Sequence, residues 1–372
     1  MSDEKPDTDT YALTAAETTR VDAPRLDYRP PHPLTYRPRI ALIGAGGISA
    51  AHLDAYRTAG FDIAVICSRT LANAVSRRDA FFPQAIATDN YDEVLNDPTI
   101  EVVDITTHPA ERVALIEAAL KAGKHVLSQK PFVLDLDTGE ELVRLAGENG
   151  VLLAVNQNGR WAPHLSYMRE AVRTGLIGDL ISCHIAIHWD HSWIKGTAFE
   201  EIEDLVFYDF AIHWFDFLAS IAGDRARSVF AMKARARGQE VAPPLLAECL
   251  VQLDDDGQAS LVFDAATRFG PQDTTYIAGT LGSLSSTGPD LGRQRVTLTT
   301  EAGRAEPELE GQWFNDGFRG AMGALLCAIE EGREPLNAAS GNLKSLGLAF
   351  SAIESARTGK LVEVSTVRRL PA

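Results

Sequence analysis

The chain has 372 residues, 45% of them hydrophobic and 23% charged, enough to bury a large core and to build two domains. Its formal net charge of -16, from 51 acidic and 35 basic residues, argues against non-specific binding to nucleic acid or to an anionic membrane. The four cysteines, Cys67, Cys183, Cys249 and Cys327, lie far apart with no CxxC pair, so reduced thiols and a cytoplasmic setting are expected rather than a disulfide framework.

Taken in chain order, residues 1–37 read as an N-terminal tail or arm. The opening MSDEKPDTDT has neither the basic nor the apolar segment of a signal peptide. YRPPHPLTYRP, residues 28–38, carries four prolines in eleven residues, which favours extended backbone outside any sheet. Two readings stay open: a disordered leader, or an arm anchored by Tyr28 and Tyr36 on a neighbouring subunit. No 18-residue apolar run follows, so no membrane span is expected.

From residue 39 short apolar runs alternate with helical ones. Buried strands are predicted at 39–43, 63–67, 102–106, 125–127 and 152–155, and helices at 50–59, 109–122 and 137–149. That alternation predicts a doubly wound parallel sheet with right-handed crossovers, an α/β Rossmann domain over 38–158. The first strand runs directly into GAGGIS. Gly44 permits a tight turn, Gly46 lets backbone approach a pyrophosphate, and Gly47 and Ile48 lead into the N-terminus of a helix. A dinucleotide site is the expectation. After the second strand, Ser68 and Arg69 stand where an NAD-selective site usually places an acid, so the reading leans to NADP over NAD. The alternative is that Arg69 only stacks on the adenine while NAD binds. HVLSQKPF, 125–132, then sets Lys130 just past a buried strand and before Pro131.

Residues 159–372 read as an α+β domain with a large, mostly antiparallel open sheet. Helices are predicted at 163–174, 205–222, 314–331 and 343–358, and strands at 180–189, 228–236, 245–253, 258–268, 274–278 and 295–300, with a DDDG turn at 254–257. On the helix over 205–222, Asp209, His213 and Asp216 fall at i, i+4 and i+7, on one face. Asp209 is expected to orient the His213 imidazole as a general base. The plainer reading is a hydrogen-bonded core histidine. NQNGRWAP (156–163) brings Asn158, Arg160 and Trp161 towards the cleft between the domains. CHIAIHWDHSW (183–193) puts His184 and His188 on one strand face, followed by Asp190, His191 and Trp193. No ligand spacing there specifies a metal, and none is expected. Polar groups beside tryptophans suit a sugar, with ordinary sheet packing as the alternative.

GAGGIS, SQKPF and DFAIHWFD, in this order and at this spacing, resemble the glucose-fructose oxidoreductase / inositol dehydrogenase / rhizopine-catabolism (Gfo/Idh/MocA) oxidoreductase family. The resemblance covers about 38–363 and includes AIESARTGKLVEV near the C-terminus. It implies hydride transfer between NADP or NAD and a secondary hydroxyl or carbonyl of a sugar, cyclitol or glycoside. Lys130 matches the lysine of the family's Glu-Lys-Pro motif, and Asp209 and His213 match its Asp-x-x-x-His pair. Thr106, Thr107 and His108 match a segment that passes the cofactor, as do Gln129 and Lys130. His213 is then the base, Asp209 holds its tautomer, and Lys130 donates to the reacting oxygen. Asn158, Arg160, Trp161, His188, Trp193 and Asp209 face the substrate. The sheet face implies a homodimer or homotetramer. The sequence departs from the family at Gln129, usually Glu, and at Ser68 and Arg69. The neutral amide withdraws one stabiliser of the Lys130 charge. A redox-assisted glycosidase or lyase, and a non-catalytic nucleotide sensor, remain the alternatives.

Overall fold

A computed structural model describes residues 18–254 and 256–371. Its first sheet is built from β1 (Arg39–Ile43), α1 (Ser49–Ala59), β2 (Asp62–Cys67), α2 (Leu71–Phe81), β3 (Ile86–Thr88), α3 (Tyr91–Asn96), β4 (Ile100–Ile105), α4 (Pro109–Lys121), β5 (His125–Gln129), α5 (Leu136–Glu148) and β6 (Leu153–Asn156). The strands lie in the order β3-β2-β1-β4-β5-β6, all parallel. Helices cover both faces, so strand residues such as Ile40, Leu42, Val102, Val103, Val126 and Leu127 are wholly buried. This is why the strands read as unbroken apolar runs. The strand order reverses between β1 and β4, which opens a crevice at the carboxyl ends of the strands. α2, α3 and β3 have no strong apolar pattern; α2 buries only Ala74 fully, and sequence patterning passed over all three.

The second part comprises α6 (Pro163–Arg173), β7 (Leu180–His188), α7 (Ile212–Ala222), β8 (Ala226–Ala234), β9 (Leu246–Leu253), β10 (Gln258–Asp264), β11 (Gln272–Gly279), β12 (Gly282–Gly288), β13 (Arg295–Thr300), β14 (Gly303–Ala305), α8 (Trp313–Glu331), α9 (Ala339–Thr358) and β15 (Val362–Glu363). Nine strands form one sheet in the order β14-β13-β12-β11-β7-β10-β9-β8-β15. All its pairings are antiparallel except β7 with β10. The alternation of β9 shows the logic: Ala247, Cys249, Val251 and Leu253 are buried against helices, while Leu250 on the opposite face is exposed. The DDDG turn lies partly outside the described residues, at Asp255.

Residues 1–17 of the expected tail lie outside the described residues. From residue 18 onward the segment is an ordered arm on its own chain. The Glu330 carboxylate of α8 accepts backbone N–H bonds from Leu34 (2.8 Å), Thr35 (2.6 Å) and Tyr36 (2.9 Å). The Thr35 hydroxyl, donating at 2.6 Å, and then these N–H groups hold the Glu330 carboxyl down at about 2. Tyr28 does act as an anchor within the same chain, packing edge-on against Tyr167 and accepting the Glu310 backbone N–H at its hydroxyl at 2.9 Å. α8 also packs on α1, β5 and β6, so it ties the arm to the first sheet.

Candidate active site

The glycine loop has the shape a pyrophosphate needs. Gly44 adopts φ +102°, and a Cβ there would meet the Thr107 side chain at 2.9 Å. At Gly46 and Gly47 a Cβ would meet nothing within 4 Å, so open space lies over the loop. No side chain caps the start of α1 and its first turn has no acid, leaving backbone N–H groups free for an anion. Thr106 Oγ1 donates to the Gly44 carbonyl at 2.6 Å and fixes β4 against the loop. Arg77 of α2, which nothing in the sequence pattern singles out, donates to Gly46 O and Ser49 Oγ, both at 3.0 Å. These residues fit a dinucleotide. Ser68 uses its N–H on Thr88 O (3.1 Å). Arg69 is exposed and pairs at 2.7 Å with Glu111, on the first turn of α4 just beyond His108.

Lys130 is the first residue beyond β5. Its ammonium donates to Asp209 Oδ1 (3.1 Å) and to the Asp209 backbone carbonyl (2.9 Å). The main chain on either side is clamped by Arg112 of α4, 1% exposed, which donates to the carbonyls of Gln129 and Pro131. Burial pulls the Arg112 guanidinium down to about 10. Arg112 carries no sequence signal beyond its place on a helix.

The expected single helix over 205–222 is two pieces. Val206–Phe210 forms a π-turn, marked by the i→i+5 bond from Ala211 N to Val206 O (2.7 Å), and α7 starts at Ile212. The wider turn shifts the phase between Asp209 and His213, so the expected contact does not form. Asp209 holds Lys130 instead. Asp216 leaves the stripe as well: it accepts both arms of Arg160, at 2.6 and 2.9 Å, and the Ser345 hydroxyl at 2.9 Å. His213 Nδ1 is buried without a partner, and the ring meets Trp313 edge-on at 5.3 Å. Burial, reinforced by the Lys130 charge, holds its pKa well below the ordinary histidine value. His213 is therefore a neutral imidazole at pH 7 and able to accept a proton.

Lys130, Asp209 and His213 line one cavity of about 240 Å³ together with Gln129, Asn158 and Ile48 of the glycine loop. Four of the five tryptophans line it, Trp189 and Trp193 from the expected segment and Trp214 and Trp313 from α7 and α8, with Phe199, Phe210, Phe314 and Phe318. Among the described residues of its wall, Lys130 is the one permanent cation. Three expected substrate residues lie elsewhere. Arg160 is committed to Asp216. Trp161, 1% exposed, is wedged against α8, where a Cβ on Gly320 would lie 2.3 Å from it. His188 faces Asp264 at 3.8 Å on the neighbouring strand. His191, two residues before Trp193, lines the cavity and packs 4.2 Å from the Phe210 ring. A larger hollow of about 1050 Å³ between α5, α9 and β8 contains none of these groups, so volume alone does not mark the site.

A dinucleotide cradle beside a lysine, a neutral histidine and an aromatic cavity defines a Rossmann-fold oxidoreductase. Comparison with known proteins takes this further. Residues 38–157 match the model of the oxidoreductase family with NAD-binding Rossmann fold, GFO_IDH_MocA, and residues 165–285 match the GFO/IDH/MocA C-terminal domain. The chain belongs to the GFO/IDH/MocA family. It is 27% identical over 347 residues to a D-apiose dehydrogenase of Paraburkholderia graminis, covering 88% of this chain and 90% of that protein. It is also 27% identical to a 1,5-anhydro-D-fructose reductase of Ensifer adhaerens, covering 88% and 99%. An oxidoreductase from Agrobacterium radiobacter, solved with NAD+, L-tartaric acid and magnesium, shares the fold with a TM-score of 0.79 at 23% identity, covering 88% and 99%.

Proposed function

We propose that this oxidoreductase moves a hydride between a nicotinamide cofactor and a secondary hydroxyl or carbonyl of a neutral sugar or cyclitol. The observation that carries the reading is that Lys130, Asp209 and His213 share one cavity with the edge of the glycine loop. Gly44, Gly46, Gly47, Ile48, Thr106, Thr107 and His108 would hold the cofactor, with Ser68 and Arg69 at its adenosine end. The bound cofactor supplies the hydride acceptor or donor. Lys130 donates a hydrogen bond to the reacting oxygen and stabilises the charge that develops there. His213 takes the hydroxyl proton in oxidation and returns it in reduction. Asp209 keeps the ammonium aimed and offsets the second positive charge that forms when His213 is protonated.

The substrate class follows from the wall. Aromatic faces suit the C–H faces of a sugar ring, and about one ring fits a cavity of this size, smaller than the 300 Å³ typical of drug-sized sites. With Lys130 already paired to Asp209, a phosphate or a sugar acid finds no free cation. The absence of an acid at Ser68 and Arg69 supports NADP over NAD. The exposed Phe230, Met232 and Leu250 on the outer sheet face support a homodimer or homotetramer, and the four unpaired, buried cysteines support a cytoplasmic setting.

A screen of neutral sugars, cyclitols, sugar phosphates and sugar acids with both free cofactors, read by reduced-nicotinamide absorbance, tests the proposal. Turnover on neutral substrates with stoichiometric cofactor conversion is the expected result. Product formation without net cofactor conversion points instead to a redox-assisted glycosidase or lyase.

A further inference from the structure

Behind Lys130 lies a buried polar cluster that the reaction as described does not use. His52 and Tyr56 of α1, Asp104 of β4, Gln129 of β5 and Asn156 of β6 are each 5% exposed or less. His52 Nδ1 is 2.7 Å from Asp104 Oδ2, and the Tyr56 hydroxyl donates to the same oxygen at 2.7 Å. His52 Nε2 is 3.0 Å from Gln129 Nε2 and 3.1 Å from Asn156 Nδ2. Gln129 Oε1 accepts the Lys130 backbone N–H at 2.7 Å and Asn156 Nδ2 at 3.2 Å. The ring of Phe318 of α8 closes the remaining side at 4.7 Å.

The proton positions follow from one group. A backbone N–H only donates, so the Gln129 oxygen must face Lys130 and its NH2 must face His52. His52 Nε2 is then an acceptor, and its single proton sits on Nδ1, donated to Asp104. A doubly protonated ring would set an N–H against two amide NH2 groups. Among the described residues, Asp104 is the one acidic or basic side chain hydrogen-bonded to the ring besides the Tyr56 phenol. Arg112, whose guanidinium feels the Asp104 charge, clamps the carbonyls beside Lys130 from the other side.

We propose that Gln129 is a positioning residue that holds Lys130 through its oxygen and, through its amide, keeps His52 as the neutral Nδ1–H tautomer. The His52–Asp104 pair thus braces the lysine from below without exchanging protons with the site. The role in turnover rests on the proposed function above; the tautomer does not.

The test uses the full-length protein labelled with 15N on histidine, with long-range proton–nitrogen spectra at pH 8. An unprotonated Nε2 and a protonated Nδ1 at His52 are expected. Gln129→Glu should convert His52 to the doubly protonated ring, because a carboxylate oxygen then faces Nε2, and should add an ionisation to the pH profile of kcat. Gln129→Ala should lower kcat by about 10²-fold through misplacement of Lys130, with the cofactor KM changed less than about threefold. A wild-type His52 protonated on Nε2 overturns the proposal even if no variant folds, as does a Gln129→Ala enzyme with wild-type kcat. Wild-type turnover in Lys130→Ala, with the predicted His52 spectrum intact, removes the catalytic reading and leaves the tautomer standing.

Discussion

Lys130 and Asp209, 79 residues apart, meet at 3.1 Å between Nζ and Oδ1, and the same ammonium also reaches the Asp209 carbonyl at 2.9 Å. The carboxylate that patterning assigns to His213 thus serves the lysine. Lys130→Ala and His213→Ala are each expected to lower kcat by about 10²- to 10⁴-fold. Asp209→Asn keeps the shape but removes the charge, and should fall in the same range. Cofactor affinity, measured by fluorescence titration, should change little in all three. Wild-type turnover in both Lys130→Ala and His213→Ala ends this assignment.

Arg69 pairs with Glu111 beyond the carboxyl end of β2. Both side chains are well exposed, so the pair itself contributes little to stability. Arg69→Ala should weaken NADP more than NAD, and Glu111→Gln should strengthen NADP by freeing the guanidinium. Dissociation constants for both cofactors check this; equal losses in Arg69→Ala remove the 2′-phosphate role.

The two glycines of the loop should respond differently to a side chain. Gly46 is open on its Cβ side, so Gly46→Val should fold with a nearly unchanged Tm yet lose cofactor binding. Gly44, at positive φ with Thr107 against it, should lose stability as Gly44→Val by about 1–3 kcal/mol. A Gly46→Val protein that binds cofactor normally would show that the open space is not the cradle.

Three histidines, His164 buried and His191 and His213 half-buried, weaken the fold towards acid pH. Burial holds His164 at about 3 and His191 at about 4, and His213 well below its ordinary value. Each binds a proton more readily unfolded than folded. The stability each contributes is therefore present above pH 6.5 and is lost as pH falls below it, by about 1.4 kcal/mol per group per pH unit. Thermal melts should show Tm falling from pH 7 to pH 5, and His164→Gln should flatten that fall if the variant packs normally.

Asp273 of β11 works in the opposite direction. Neither carboxylate oxygen has a partner, and burial, with the nearby Asp290 charge, raises its pKa to about 7. The folded state holds the proton that the unfolded chain releases near 3.8. Its contribution is most favourable below 3.8 and is lost as pH rises to about 7. Asp273→Asn should thus be nearly neutral at pH 3.5 and stabilising at pH 8, by about 1–3 kcal/mol. Denaturant melts at the two pH values measure the difference; equal effects at both mean the carboxyl finds a partner.

The parallel sheet, the glycine loop and the placing of Lys130 beyond a strand were legible in the sequence, because strand burial and turn geometry are written in neighbouring residues. Gln129 illustrates the limit. As a neutral neighbour it was expected to bear on the Lys130 charge, but its side chain turns inward to His52 and Asn156 and meets Lys130 at the backbone N–H, not at the ammonium. Gln129→Glu therefore acts on the imidazole. Spacing on a helix assumed 3.6 residues per turn, and the π-turn at Val206–Phe210 broke that assumption. Arg160, Trp161 and His188 carry the right chemistry for a substrate, yet Asp216, Gly320 and Asp264 hold them elsewhere. Local sequence determines periodicity and backbone freedom. Which distant side chain meets which, and so which carboxylate serves Lys130 and which rings wall the cavity, was decided only when the two sheets and α8 packed together.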